Sequence, residues 1–161
     1  MHRLILGFAV LLCSAALPAQ SADPLTVQGP NGAVHTLSAA QLETLPRITG
    51  AAAAHDARFT FDGYDLRDVL RLAGVTPVDS LRRGQLRRVV VFVGADGYSA
   101  IIALSDLDPS IGGRRALLVD REDGRPLPSE RGPRRIIVEG DHRPSRWVRQ
   151  VVRIEVRDLP E

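Results

Sequence analysis

A run of consecutive apolar residues, Val89–Val93, limits the possible folds more than any other segment of the chain. Side chains of a strand alternate between its two faces, so an unbroken apolar run needs cover on both faces. Asp96-Gly97, a pair typical of hairpin turns, follows, and we expect Tyr98–Leu104 to return as the partner strand. Val89–Val93 is therefore predicted as a central strand of a buried sheet.

The rest of the chain is predicted to form short strands separated by Pro and Gly turns. The predicted strands are Leu25–Gln28, Ala33–Leu37, Arg58–Phe61, Ala116–Val119 and Arg135–Val138. Asp62-Gly63 is interpreted as a turn, and the alanine-rich segment from Thr49 to Asp56 fits either a helix or a loop.

Two short helices are predicted from their capping residues and spacing. Ser38 is placed to cap Ala39–Leu45. Asp65 is placed to cap Leu66–Ala73, whose apolar residues follow the helical period up to Gly74. Many short strands with few helices indicate a single mixed, β-rich α+β domain.

The first residues have the layout of a secretory signal peptide. One Arg precedes an apolar run from Leu4 to Leu12, and small residues follow it. We expect a signal peptide at residues 1–22, cleavage near residues 19–22, a domain at residues 23–161 and a periplasmic location. Cys13 raises a lipoprotein alternative, which the large residues before it disfavour. No later stretch is long and apolar enough for a membrane helix, so no stable membrane insertion is expected.

Charge and cysteine content exclude several functions. All 21 basic residues are Arg and stand against 19 acidic residues, a balance that gives no clear surplus for nucleic-acid binding. The single Cys lies in the expected signal peptide, so the mature domain would have no disulfide and no thiolate metal ligand. Dispersed histidines make no convincing metal site.

Val138–Val156 is the stretch where binding of a small polar ligand is expected, because its one Trp is flanked by arginines and follows two carboxylates. Alternation places Val148, Val152, Ile154 and Val156 on one face of a final strand, and Trp147 on the other with the arginines. A bulge at Val151-Val152 would reverse that assignment.

Five segments in order resemble the molybdopterin-binding domain of the sulfite-oxidase superfamily. They read LSAAQLETLPR, FDGYDLRDVLRLAGV, ADGYSAIIALSDL, DGRPLPSERGPRRIIVEG and SRWVRQVVRIEV. The resemblance implies the mixed α+β sulfite-oxidase fold and a pocket shaped for a pterin. The chain departs from the family's enzymes in three ways: AAAAHDARFTFDGYD lacks their metal-binding Cys, their additional segments are absent, and Arg146 stands where they commonly have Lys.

The superfamily also includes small exported members without the Cys, some of which bind pterins and work with membrane-bound cyclic-di-GMP enzymes. Similarity to that group implies a periplasmic, non-catalytic pterin-binding module that relays its ligand state to a membrane signalling partner. Two alternatives stay open: a molybdenum-cofactor oxidoreductase without the thiolate, and an interaction domain that binds no ligand.

The chemistry of a pterin suggests which side chains would hold it. One ring edge presents N–H donors that a carboxylate accepts, other atoms need donors such as Arg, and the flat ring stacks on aromatic groups. The predicted ligand-binding residues of the final segment and of two other segments are Glu139, Asp141, His142, Arg143, Arg146, Trp147, Tyr98 and Arg58. No metal ligand and no catalytic residue is predicted. The arginine pairs 82–83, 87–88, 114–115 and 134–135 are expected on solvated faces, with an acidic partner as the alternative.

Overall fold

The computed structural model describes residues 24–54 and 57–160. The signal peptide predicted at residues 1–22 therefore lies outside the described residues. Within them, the strands are β1 (Leu25–Gln28), β2 (Val34–Leu37), β3 (Ile48–Ala54), β4 (Ala57–Asp65), β5 (Arg88–Gly94), β6 (Ser99–Ala103), β7 (Ala116–Glu122), β8 (Arg125–Pro126), β9 (Arg135–Val138) and β10 (Val151–Asp158). The helices are α1 (Ala39–Leu42), α2 (Leu66–Leu72), α3 (Leu104–Leu107) and two 3-10 helices, Arg83–Arg87 and Pro144–Arg146.

The first sheet has the strand order β2-β1-β10-β5-β6. β10 pairs in parallel with β1 and antiparallel with β5, and β5 forms a hairpin with β6 across Asp96-Gly97. Val90 and Phe92 are fully buried, which confirms that Val89–Val93 is part of an interior strand.

The second sheet has the order β3-β4-β7-β8, and β9 also pairs with β7. Buried residues of both sheets and of α2 form one hydrophobic cluster, so the chain is a mixed, strand-rich α+β fold as the sequence predicts. Among the described helices none has the length and apolar character needed to cross a membrane.

Two predictions about the second sheet are wrong. The alanine-rich segment is strand β3 rather than a helix or loop, because seven successive residues pair with β4 from Ile48↔Gly63 to Ala54↔Ala57. Asp62-Gly63 is not a turn but lies within β4, where the register with β7 shifts. Gly63 is required there, since a Cβ would lie 2.3 Å from the carbonyl oxygen of Leu118.

The final strand also begins later than its alternation predicts. β10 starts at Val151, and its register with β5 shifts between Val151 and Arg153, at the position of the bulge considered above. Val151 is therefore buried while Val152 is exposed. Trp147 precedes the strand, at the end of the 3-10 helix Pro144–Arg146, and its side chain is buried rather than turned outward with the arginines.

Asp65 caps α2 as predicted. Its carboxylate accepts hydrogen bonds from the backbone N–H of Arg67 at 2.9 Å and from the Arg67 guanidinium at 2.8 and 3.0 Å. Burial on its own would raise the pKa of Asp65, but these hydrogen bonds outweigh burial and hold the pKa below its ordinary value. A lowered pKa in the folded state stabilises the fold at neutral pH, and this contribution is lost as the pH falls below about 4.

We expect Asp65→Ala to lower the free energy of unfolding by about 1–2 kcal/mol at pH 7, because the helix loses its N-cap. Urea unfolding at several pH values measures the effect. The difference from wild type should shrink as the pH falls below about 4. Asp68→Ala, which removes a more exposed acid of the same helix, is the control and should cost less. A loss that is the same at pH 7 and pH 3 would contradict this account.

Candidate functional site

Trp147 is the common wall of two cavities beside the second sheet. Its indole N–H donates to the carbonyl oxygen of Val138 at 3.2 Å, and its ring meets Phe59 edge-on at 6.3 Å between centroids. The side chain is 6% exposed, so a ligand on either side would touch a ring that is already held in place.

The first cavity, the arginine cavity, has a volume of about 590 Å³. Phe59 and Trp147 supply its aromatic surface. Basic and acidic side chains supply the polar surface: Arg58, Arg131, Arg135, Arg149, Glu122 and Asp123. A cavity that combines flat apolar walls with several guanidinium groups suits a planar ligand with electronegative or anionic atoms.

Arg135 is the buried cation of this cavity. Its guanidinium carbon lies 5.6 Å from the ring centroids of both Phe59 and Trp147. Burial lowers the pKa of Arg135, and the Glu122 carboxylate, at 3.3 Å from Nη1, offsets part of that effect. Its buried Nε has no hydrogen-bond partner among the described residues, which leaves one N–H donor unsatisfied.

The other arginines of the cavity differ in how they are held. Arg131 donates to both oxygens of Glu122 at 2.9 and 3.0 Å. The Glu122 carboxylate therefore binds two cations, Arg131 and Arg135. Arg58 and Arg149 are exposed and make no ion pair with the described part of the chain. With respect to the described residues, a ligand could therefore bind their charges without breaking an ion pair.

The second cavity, the carboxylate cavity, has a volume of about 570 Å³ and lies between β3 and the loop after β9. Glu139, Asp141 and His142 line it together with Phe61, Ile137 and the alanines of β3. Asp141 accepts from Nε of Arg146 at 3.1 Å and also contacts Arg114 at 3.4 Å. The hydrogen bond to Asp141 raises the pKa of Arg146. Glu139 lies 3.5 Å from Arg115.

The structure distributes the predicted ligand-binding residues unevenly. Trp147 lines both cavities, Arg58 lines the arginine cavity, and Glu139, Asp141 and His142 line the carboxylate cavity. Arg146, Arg143 and Tyr98 line neither cavity. Arg146 binds Asp141, and the Tyr98 hydroxyl donates to the carbonyl oxygen of Ser145 at 2.6 Å. The role of each residue in binding stays a prediction.

Sequence reasoning missed most of the charged and aromatic residues of the arginine cavity: Phe59, Glu122, Asp123, Arg131, Arg135 and Arg149. It was also wrong to place Arg134 and Arg135 on a solvated face, because both are buried where β9 begins. The sequence did contain a signal for the burial of these two arginines. They end the motif DGRPLPSERGPRR and lead directly into the apolar strand Arg135–Val138.

A larger groove of about 820 Å³ lies where β5 begins and β10 ends, at the opposite end of the first sheet from Trp147. Four arginines line it, with no aromatic side chain. It lacks the flat walls that distinguish the arginine cavity, so it is the weaker candidate for a heterocyclic ligand.

A family model described as the oxidoreductase molybdopterin-binding domain matches residues 17–161. Among solved structures, the chain is similar to the sulfane dehydrogenase SoxCD from Paracoccus pantotrophus, with 18% identity and a TM-score of 0.66. The match covers 90% of this chain but only 40% of that chain. At this identity the likeness shows the fold, and no curated protein matches.

The hydrogen bond of the Trp147 indole leads to a stability prediction. We expect Trp147→Phe to lower the free energy of unfolding by about 1–3 kcal/mol, because a buried hydrogen bond is lost and the carbonyl of Val138 keeps only the longer contact, 3.4 Å, from the backbone N–H of Asp141. Urea unfolding measures this loss. The matched control, Tyr98→Phe, removes a hydrogen bond at an exposed site and should change stability by less than about 0.5 kcal/mol. Equal effects of the two variants would contradict the role assigned to Trp147.

Proposed function

The chain belongs to the family of oxidoreductase molybdopterin-binding domains, and from this we propose that it is a non-catalytic module that binds a pterin beside Trp147. The observation that carries the proposal is the position of Arg135. A guanidinium at the wall of a cavity lies against two aromatic rings, and its buried Nε has no hydrogen-bond partner among the described residues. A flat ligand with electronegative atoms would pack on the same aromatic surface and lie beside this positive charge.

The two cavities offer complementary chemistry to such a ligand. Guanidinium groups of Arg58 and Arg149 can donate to a carbonyl, ring nitrogens or a phosphate group. On the other side of Trp147, Glu139 and Asp141 can accept from the N–H edge of a pterin. Both carboxylates already contact arginines, so binding there would share or replace those ion pairs.

The residues present fit the organic part of molybdopterin and do not fit thiolate coordination of molybdenum. No group of three or more potential metal ligands occurs in residues 24–54 and 57–160. The one cysteine, Cys13, lies outside the described residues. Soft metals at such sites need a thiolate, and this favours binding over oxidoreductase chemistry.

The proposed location is the periplasm, and the proposed partner is the periplasmic domain of a membrane signalling protein such as a cyclic-di-GMP enzyme. The signal-like sequence at residues 1–22 supports export, and the family resemblance supports the class of partner. In this role the module would present its ligand-bound form for recognition by the partner.

Titration calorimetry with oxidised and reduced pterins, each with and without a phosphate group, tests the proposal. We expect Arg58→Gln and Arg149→Gln to weaken binding about 10-fold or more, because each removes a charged hydrogen-bond donor from the cavity. Arg82→Gln, an exposed arginine in the groove at the far end of the first sheet, is the matched control and should leave affinity unchanged.

Three outcomes would overturn the proposal. The first is absence of binding at millimolar pterin. The second is an affinity that is the same in wild type and in all three variants. The third is stoichiometric molybdenum in protein purified from its native host, which would instead support the oxidoreductase alternative.

A further inference from the structure

One outer strand of the second sheet, β3, is long, and its outer edge pairs with no other strand in the described part of the chain. β3, Ile48–Ala54, pairs with β4 alone, and no other described strand borders it. Its sequence, ITGAAAA, contains no charged residue and no proline. Its register with β4 continues through all seven residues without a shift, so no bulge of β3 twists the edge away.

Other outer strands are protected against pairing with another chain. β2 has four residues, and β8 has two, one of them Pro126. β9 has four residues, all buried. β6 lies beside the 3-10 helix Pro144–Arg146, and the Tyr98 hydroxyl ties its start to Ser145. Short length, proline and cover by other segments are the usual ways in which natural sheets prevent edge pairing, and β3 shows none of them among residues 24–54 and 57–160.

We propose that β3 pairs antiparallel with β3 of a second copy of this chain, around a two-fold axis perpendicular to the sheet. The register that pairs all seven residues places Ala51 opposite the partner's Ala51. This axis keeps the core-facing side of both strands on the same side of the joined sheet. The inference rests on the sheet alone and does not require the proposed ligand.

Charge and side-chain size favour a second copy as the occupant. An isologous contact places the same surface against itself, so a charge at the axis position would face a like charge and charges elsewhere would be brought close to their copies. β3 has no charge, and Arg47, just before it, is already neutralised by an ion pair with Asp120. The side chains from Gly50 to Ala54 are small and offer no steric obstacle to a neighbouring backbone.

The size of the contact sets its strength. Two seven-residue strands make a smaller interface than the roughly 1,200–2,000 Å² of stable complexes. We therefore expect a reversible dimer with a dissociation constant of about 1 µM or weaker. Pairing would also lie next to the candidate site, because Ala51–Ala53 line the carboxylate cavity and Ala54 lines the arginine cavity.

Sedimentation equilibrium from about 1 µM to about 1 mM protein tests the proposal. The weight-average mass of wild type should rise towards that of a dimer. Ala51→Lys should keep the protein monomeric, because it places two ammonium groups opposite each other at the two-fold axis. Ile101→Lys, an exposed position on the outer strand β6, is the matched control and should dimerise like wild type.

Ala51→Glu, which places two carboxylates opposite each other at the axis, provides a second variant in case Ala51→Lys does not fold, and circular dichroism checks the fold of each. Hydrogen exchange supplies a separate readout, since backbone amides of β3 should gain protection as the protein concentration rises. A monomer at every concentration would overturn the proposal. So would a dimer that both β3 variants leave intact, or one that Ile101→Lys disrupts equally.

Discussion

The hydrogen bond between the Trp147 indole and the carbonyl of Val138 joins the parts of the molecule on which the candidate site depends. It fixes the segment after the 3-10 helix Pro144–Arg146 against the end of β9. The ring thereby meets Phe59 of β4 and lies beneath the Arg135 guanidinium. Two cavities of different charge character therefore share one rigid wall, and neither would keep its shape if this side chain moved.

The exclusive use of arginine among the basic residues matters for this arrangement. A guanidinium is planar and weakly hydrated, so it can be buried against aromatic rings, whereas an ammonium group is strongly hydrated and compact. Arg135 illustrates the first property, and the binding of both Asp141 oxygens by Nε and Nη2 of Arg146 illustrates the directional fork of donors. The site is thus built from pairs whose geometry is fixed before any ligand arrives.

Local patterns predicted the elements whose stability is local. The apolar run of β5, the Asp96-Gly97 hairpin and the Asp65 cap could be predicted from the sequence, because neighbouring residues determine them. β3 could not be predicted in this way, since alanine has a low strand propensity and only pairing with β4 makes this segment a strand. The burial of Trp147 and Arg135 depends on contacts between segments far apart in sequence. Periodicity within the final segment could not show them, although the family resemblance did indicate the fold.

β10 lies at the centre of the first sheet and joins two hairpins, β1–β2 and β5–β6, that make no pairing with each other. Two-stranded hairpins are marginally stable on their own. During synthesis, this sheet therefore cannot assemble until residues 151–158 have left the ribosome. For a chain that is exported as we propose, the segments before residue 151 would stay unpaired across this sheet, and accessible to the translocation machinery, until that strand is made.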